Sequence, residues 1–408
     1  MSAATWTFIP DILEEHLEEV AFLWGQRRAA LRSPEYTPRS VADLEERIAA
    51  HVQGVVAVAA DGIELVRAAL ASDDADAAFA GAFSLLHTSL PGAEQEVLEA
   101  FVAAEGDRLA ALSEALKHAP LGPAGLGRLA LLAGDEPSPR TAAAAEALAF
   151  HGALELKPDR LAALLGAEDA AVRCAGWRLV GYMLAPVDAK LYARALRDDE
   201  AAVRDAALLA GAWCGVQGVL PAARKIAAEP GPEHAATLYL LAVLGAPEDL
   251  TLFQRVAADP AFGPERFRLA AAYGHPVLVD AVLAGMTADD PAAAAAAGAA
   301  FLKLTGVDVF TGERAQAPVE GGDEFDAEFA EEYPVPDAER ARREWSALAP
   351  QLGAATRICR GLDLGQPLDR ASFDSLDMES RWELCLRGRF YGTWAGSPLA
   401  LERFPLPR

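Results

Sequence analysis

From Pro10 onward, apolar residues recur at three- and four-residue steps. Leu13, His16, Leu17, Val20, Leu23 and Trp24 share one side of a helix that turns about 100° per residue, and Glu14, Glu15 and Glu18 fall on the other. The next segment repeats the pattern, with Val41, Leu44, Ile48, Val52 and Val55 on one face and His51 at its margin. Two such helices joined through Ser33-Pro34 predict an antiparallel hairpin that brings His16 and His51 together or onto one polar partner.

Further along, the pattern acquires a longer period. DAAVRCAGWRLVGYML from Asp169 and EAAVRDAALLAGAWCG from Glu200 share AAVR at the same offset, 31 residues apart. Degenerate copies start at Ser138, Pro232, Pro264 and Asp290, giving about six units of a size that must stack to bury its apolar face. Prolines 139, 158, 186, 232, 247, 264, 276 and 291 mark helix starts, where a missing N–H costs nothing. The six-alanine run Ala292 to Ala297 reads as the tightly packed helix of the last unit.

The predicted fold is therefore all-α: an α-solenoid of helical hairpins with a helical cap at one end and a helical module at the other. The expected divisions are an N-terminal bundle over residues 1–120, a repeat array over 121–305, an acidic linker over 306–339 and a C-terminal module over 340–408. Val172 and Val203 should face the stack, while Arg173 and Arg204 lie beside acids such as Asp169 and Asp199 as a ladder between units.

Composition agrees with helix: 52% of residues are hydrophobic, Ala and Leu dominate, and only 7% are aromatic. A net charge of −24, from 60 acids and 36 bases, would repel a phosphate backbone, so no nucleic-acid partner is expected. The four cysteines form no CxxC and fit a reducing compartment. No secretory leader pattern and no stretch of about 18 apolar residues occurs, so a cytoplasmic protein without membrane insertion is expected.

Catalytic chemistry lacks its minimal parts. GxxxxGK[ST], GxSxG and HExxH are absent, and GLGRLA at Gly125 follows HAPLGPA, which cannot be the strand a dinucleotide fold requires. None of the seven histidines precedes a glutamate, against a di-iron reading based on His-Glu dipeptides. His16 sits among four glutamates, but helical projection leaves only Glu19 near it, so His16 and His51 are expected as a structural polar pair. No catalytic residue, metal or cofactor is expected.

Two stretches are candidates for binding a protein partner. Residues 321–339 carry eight acids and no base, interleaved with Phe325, Phe329 and Tyr333: a plain linker or a strip that docks on a basic surface. ESRWELCLRGRFYGTW places Arg381, Arg387 and Arg389 beside Trp382 and Trp394, as an interface anchor or as a capping helix paired with this acidic chain.

The AAVR units resemble HEAT repeats, including the bilin-lyase type. Three stretches together resemble an uncharacterised bacterial, especially myxobacterial, family of HEAT-repeat proteins. They are Glu14 to Val55, the repeat array, and VPDAERARREW followed by ATRICRGLDLGQPLD. Where that family often has two adjacent tryptophans, this chain has Glu344-Trp345. Members tend to be encoded near type VI secretion genes. The resemblance thus implies a non-catalytic scaffold or adaptor accessory to that machinery, with a secreted effector or spike component as partner. The enzymatic alternative is a bilin-lyase-like lyase or isomerase acting on a bound chromophore or modified protein.

Overall fold

A computed structural model describes residues 9–317 and 330–406. The chain forms two compact units. The first runs to Cys214 and takes in the segment from Ala395; the second is Gly215–Trp394. This division falls inside the span expected as one repeat array.

The first unit opens with the hairpin of α1 (Pro10–Ala30) and α2 (Pro38–Ala71). Pro38 occupies the first turn of α2, and Thr37 and Ser40 satisfy each other's backbone N–H in a capping box. A row of helices then stacks side by side: α3 (Ala75–His87), α5 (Gly106–His118), α7 (Pro139–Phe150), α9 (Ala170–Met183) and α11 (Ala201–Trp213). Connecting them are α4 (Ala93–Ala103), α6 (Pro123–Ala133), α8 (Pro158–Leu165) and α10 (Ala189–Ala195), which pack against their neighbours in the row. GLGRLA lies within α6, behind the N1 proline Pro123. The core holds Trp24, Phe83, Phe101 and Trp177, with Trp24 stacked on Phe79 at 4.8 Å between ring centroids. Each side chain of this size contributes about 1.5–3 kcal/mol when taken out of water.

The second unit repeats the plan. Its row is α13 (Ala235–Leu244), α15 (Glu265–Tyr273) and α17 (Pro291–Thr305). These pair with α12 (Val219–Ile226), α14 (Leu250–Ala258) and α16 (Val279–Gly285). Prolines 232, 247 and 276 each begin a 3-10 turn leading into the next helix. Within each unit the helices therefore stack as hairpins, the solenoid arrangement.

The span expected as an acidic linker is bounded by structure. Strand β1 (Phe310–Gln316) pairs antiparallel with β2 (Glu332–Pro336). The pair packs on α17 at Gly298, where a Cβ would lie only 2.7 Å from the Phe310 ring. That contact requires a residue without a side chain. Beyond it come α18 (Ala338–Leu352), a tight pair of two-residue strands, β3 (Ile358–Cys359) and β4 (Leu362–Asp363), then α19 (Arg370–Asp374) and α20 (Met378–Phe390). Helix α20 packs against α13.

Candidate functional site

The stripe of α1 does not stop at Trp24. Arg27 is next in register and is 1% exposed, and Glu45 interrupts the stripe of α2 at 5%. They form an ion pair, with Arg27 Nε 2.7 Å from Glu45 Oε1. Burial pushes the Arg27 guanidinium down from its ordinary value, and Glu45 opposes that push. The pair leaves capacity on both partners, and residues 402–406 use it. Arg27 Nη2 donates to the carbonyls of Glu402 (3.1 Å) and Arg403 (2.6 Å). The Leu406 N–H donates to both Glu45 oxygens, at 3.0 and 2.9 Å.

The same segment is held elsewhere in the first unit. Ser397 Oγ donates to the Tyr182 carbonyl at 2.6 Å, and Tyr182 OH donates to Glu402 Oε2 at 2.9 Å. Arg32 Nη2 donates to Glu402 Oε1 at 2.7 Å. The Phe404 ring lies 5.3 Å from Trp24, 5.6 Å from Phe83 and under the Arg27 guanidinium at 5.3 Å. Its N–H donates to His118 Nδ1. That bond fixes the tautomer: Nε2 carries the proton and donates to Glu114 Oε1 at 3.4 Å. Burial holds the His118 imidazole below its ordinary value, against the pull of Glu114. Burial likewise pushes the Glu114 carboxyl up, but the His118 hydrogen bond and the charges of Lys117, His118 and Arg28 outweigh it and bring it to about 2.

Two hollows border this segment or its partners. One, of about 320 Å³, is walled by Trp177, Tyr182, Leu209 and Trp213, with Pro398 and Glu402 on its other side. The other, also about 320 Å³, lies over α5, α7 and α9, with Glu114, Lys117, Glu146 and Arg178 on its lining. Lys117 and Arg178 both pair with buried Glu146, at 2.9 and 2.8 Å. The Ser113 hydroxyl on this lining is buried and has no hydrogen-bond partner among the described residues. Arg178 borders both hollows, which lie next to each other along the row of helices.

The second unit concentrates charge differently. Lys303 Nζ lies 2.7 Å from Glu379 and 2.5 Å from Glu383, the three side chains being nearly inaccessible. Tyr239 OH donates to Glu383, and Arg268 Nε donates to Glu379 at 3.1 Å. Burial lowers the Lys303 ammonium, but Glu383 and Glu379 outweigh it, so its pKa is raised and it stays charged. Two cations face two carboxylates, and every charge is answered within the cluster. Beside it, Arg357 donates to the carbonyls of Ala242, Val243, Gly245 and Ala272. Arg387 donates to those of Val243, Leu244 and Gly245, and Tyr391 OH to Leu244. Together they cap the C-terminus of α13, where the helix dipole favours cations. Burial and the charge of Arg387 pull the Arg357 guanidinium down to about 9. The cavity here measures about 20 Å³, room for a single water.

The residues singled out in the sequence are placed as follows. His16 and His51 bring their Nδ1 atoms to 3.0 Å, and Gly54 makes room, since a Cβ there would lie 2.4 Å from His16 Nε2. Arg173 forms a bidentate pair with Asp198 (2.9 and 2.8 Å), and Asp169 instead caps α9. Arg173 also reaches the carbonyls of Ala167 and Glu168, and Arg204 reaches those of Asp198 and Asp199. The same local bond thus recurs in both units of the repeat. Phe325 and Phe329 lie outside the described residues; Tyr333 is in β2 and donates to Glu331. Arg381 donates to the Phe373 carbonyl, Trp382 is 7% exposed, and Arg387 is committed to α13. Arg389 and Trp394 are half-buried.

Among the described residues, no group of three or more His, Cys, Asp or Glu could hold a metal, and no helix is long and apolar enough to cross a membrane. No family model and no curated protein matches the chain. The X-ray structure of Escherichia coli YibA is similar at 14% identity, over 57% of this chain and 90% of that one, with a TM-score of 0.40. The crystal structure of an engineered protein is similar at 15% identity, over 70% and 88% of the two chains, with a TM-score of 0.29.

Proposed function

We propose that this protein is a scaffold that holds a segment of a partner protein in the groove over α5, α7, α9 and α11. One observation carries the reading. Beside this surface the first unit already holds a stretch of polypeptide, residues 397–406, through buried Arg27, Glu45 and His118, which bond its main-chain groups, and Pro398 and Glu402 of that stretch border the groove. A surface that recognises main chain suits a protein ligand better than a small molecule. The hollows beside the segment offer apolar walls at Trp177 and Trp213 and cations at Arg28, Arg32 and Arg178. An accessory task in type VI secretion, with an effector or spike component as partner, is the setting implied by the family resemblance, and it is part of the proposal.

Photo-cross-linking tests the reading. A benzophenone side chain placed at Ala143 or Ala206, both on the groove lining, should capture the same protein in native-host extract. Placed at Leu131, which is 67% exposed on α6, it should not. Capture from Leu131 alone, or equally from all three positions, would contradict the proposal.

A further inference from the structure

Residues 397–406 leave part of their own seat unfilled. The hollow of about 320 Å³ has Pro398 and Glu402 as one wall and Trp177, Leu209 and Trp213 as the other, so the resident segment borders an apolar space that it does not enter. Two of its side chains have dedicated partners: the Glu402 carboxylate between Arg32 and Tyr182, and the Phe404 ring against Trp24, Phe83 and Arg27. Its other polar contacts named above go to main chain or come from Ser397. Any segment presenting a glutamate, then one residue, then phenylalanine and proline would reproduce all of them but the Ser397 contact.

We infer that this cleft is a linear-motif site. Residues 397–406 occupy it in the resting chain, and a partner segment of the form Glu-x-Phe-Pro, with a bulky aromatic side chain four residues before the glutamate, displaces them. The inference rests on the scaffold reading above and names the chemistry of its partner. The same segment supplied by a second copy would leave the same hollow empty, which is why the occupant is assigned to a different protein.

The test uses full-length protein and a fluorescent peptide of residues 395–406, read by anisotropy. In the wild type the resident segment competes intramolecularly and weakens apparent binding. A full-length Glu402→Ala, Phe404→Ala variant should bind the peptide about tenfold more tightly than wild type. A Pro398→Trp peptide should bind that variant about fivefold more tightly again, by filling the hollow. Adding Arg32→Ala should weaken both peptides about fivefold. Equal peptide affinity for wild type and variant would overturn the inference. So would equal binding by a peptide lacking the glutamate and phenylalanine, and equal affinity of the unaltered and Pro398→Trp peptides would overturn the assignment to a bulkier occupant.

Amide hydrogen exchange of the unaltered chain gives a readout that no misfolded variant can confuse. The Phe404 and Leu406 amides should exchange at least about a hundredfold faster than that of Leu112 in α5, as a segment that leaves without unfolding its unit must. Exchange at the rate of α5 would make it a permanent part of the fold. Partner cross-links from Ala143 and Ala206 that persist while the peptide fails to bind would sink this inference and leave the scaffold reading standing. Peptide binding without any such cross-link would do the reverse.

Discussion

Both units bury charges, and they put them to different use. In the second, Lys303, Glu379, Glu383, Tyr239 and Arg268 answer one another, and the cavity that Glu383 shares with Arg357 and Arg387 admits one water. In the first, Arg27, Glu45 and His118 retain bonding capacity after pairing, and a segment without long helix or strand takes it up beside two larger hollows. A buried ionic cluster is therefore not in itself a site. What distinguishes a binding surface is polar capacity directed at groups that can leave, next to space that can be filled.

The sharpest break in this comparison is Lys303→Met. It would leave Glu379 and Glu383 buried without their shared cation, and a loss of about 3–5 kcal/mol from the second unit is expected in urea unfolding. A loss under about 1 kcal/mol would mean that the cluster is hydrated and open, like the groove. Arg357→Lys ranks next. It keeps a cation but removes the planar fork that reaches four carbonyls, and should cost about 2 kcal/mol by the same measurement.

Acidification separates the units in the other direction. The folded pKa of His118 is depressed, so its contribution is fully present above its unfolded value of about 6.5 and is lost as pH falls through the lower folded value. Protonation at Nδ1 also removes the acceptor for the Phe404 N–H. Glu114 follows the same sign lower down: its contribution is present above its ordinary 4.5 and disappears as pH falls through about 2. Exchange of the Phe404 amide should therefore accelerate on acidification below about pH 6.5 once corrected for intrinsic rates, and a His118→Gln variant should lack that first step. The smallest expected effects are in the ladder. Arg173→Ala should cost about 1 kcal/mol and Arg204→Ala less, because only Arg173 adds a bidentate carboxylate to its carbonyl bonds. Equal losses in thermal unfolding would remove the distinction.

Much of this architecture is legible in the chain. The proline-marked hairpins, the α1–α2 pairing and the small residues of the stacked row all follow from period and composition. Arg27 and Glu45 are missed by the stripe reading, although the signal is present: each continues an apolar stripe at helical spacing, where a charge must find a partner. Glu379 and Glu383 stand four apart and so share a helix face, but Lys303, their cation, is 76 and 80 positions away. The seat of residues 397–406 is beyond local pattern altogether: Arg27 meets the Glu402 carbonyl across 375 positions. Strands β1 and β2 escape for a different reason. FTGERAQ has no apolar alternation, and it is held by pairing and by Phe310 over Gly298 rather than by a buried face. The Arg/aromatic helix reads as an interface anchor or a capping helix, and sequence cannot choose because it shows residue type and not which carbonyls lie within reach; α13 supplies them for Arg387.

The most direct test of the contrast between the units is hydrogen exchange of the full chain with and without the protein captured from the groove positions. Protection should rise in α7, α9 and α11 while the amides of Phe404 and Leu406 lose theirs, and α13 and α20 should be unchanged. Protection appearing instead in α13 and α20, with the first unit unaltered, would contradict the account.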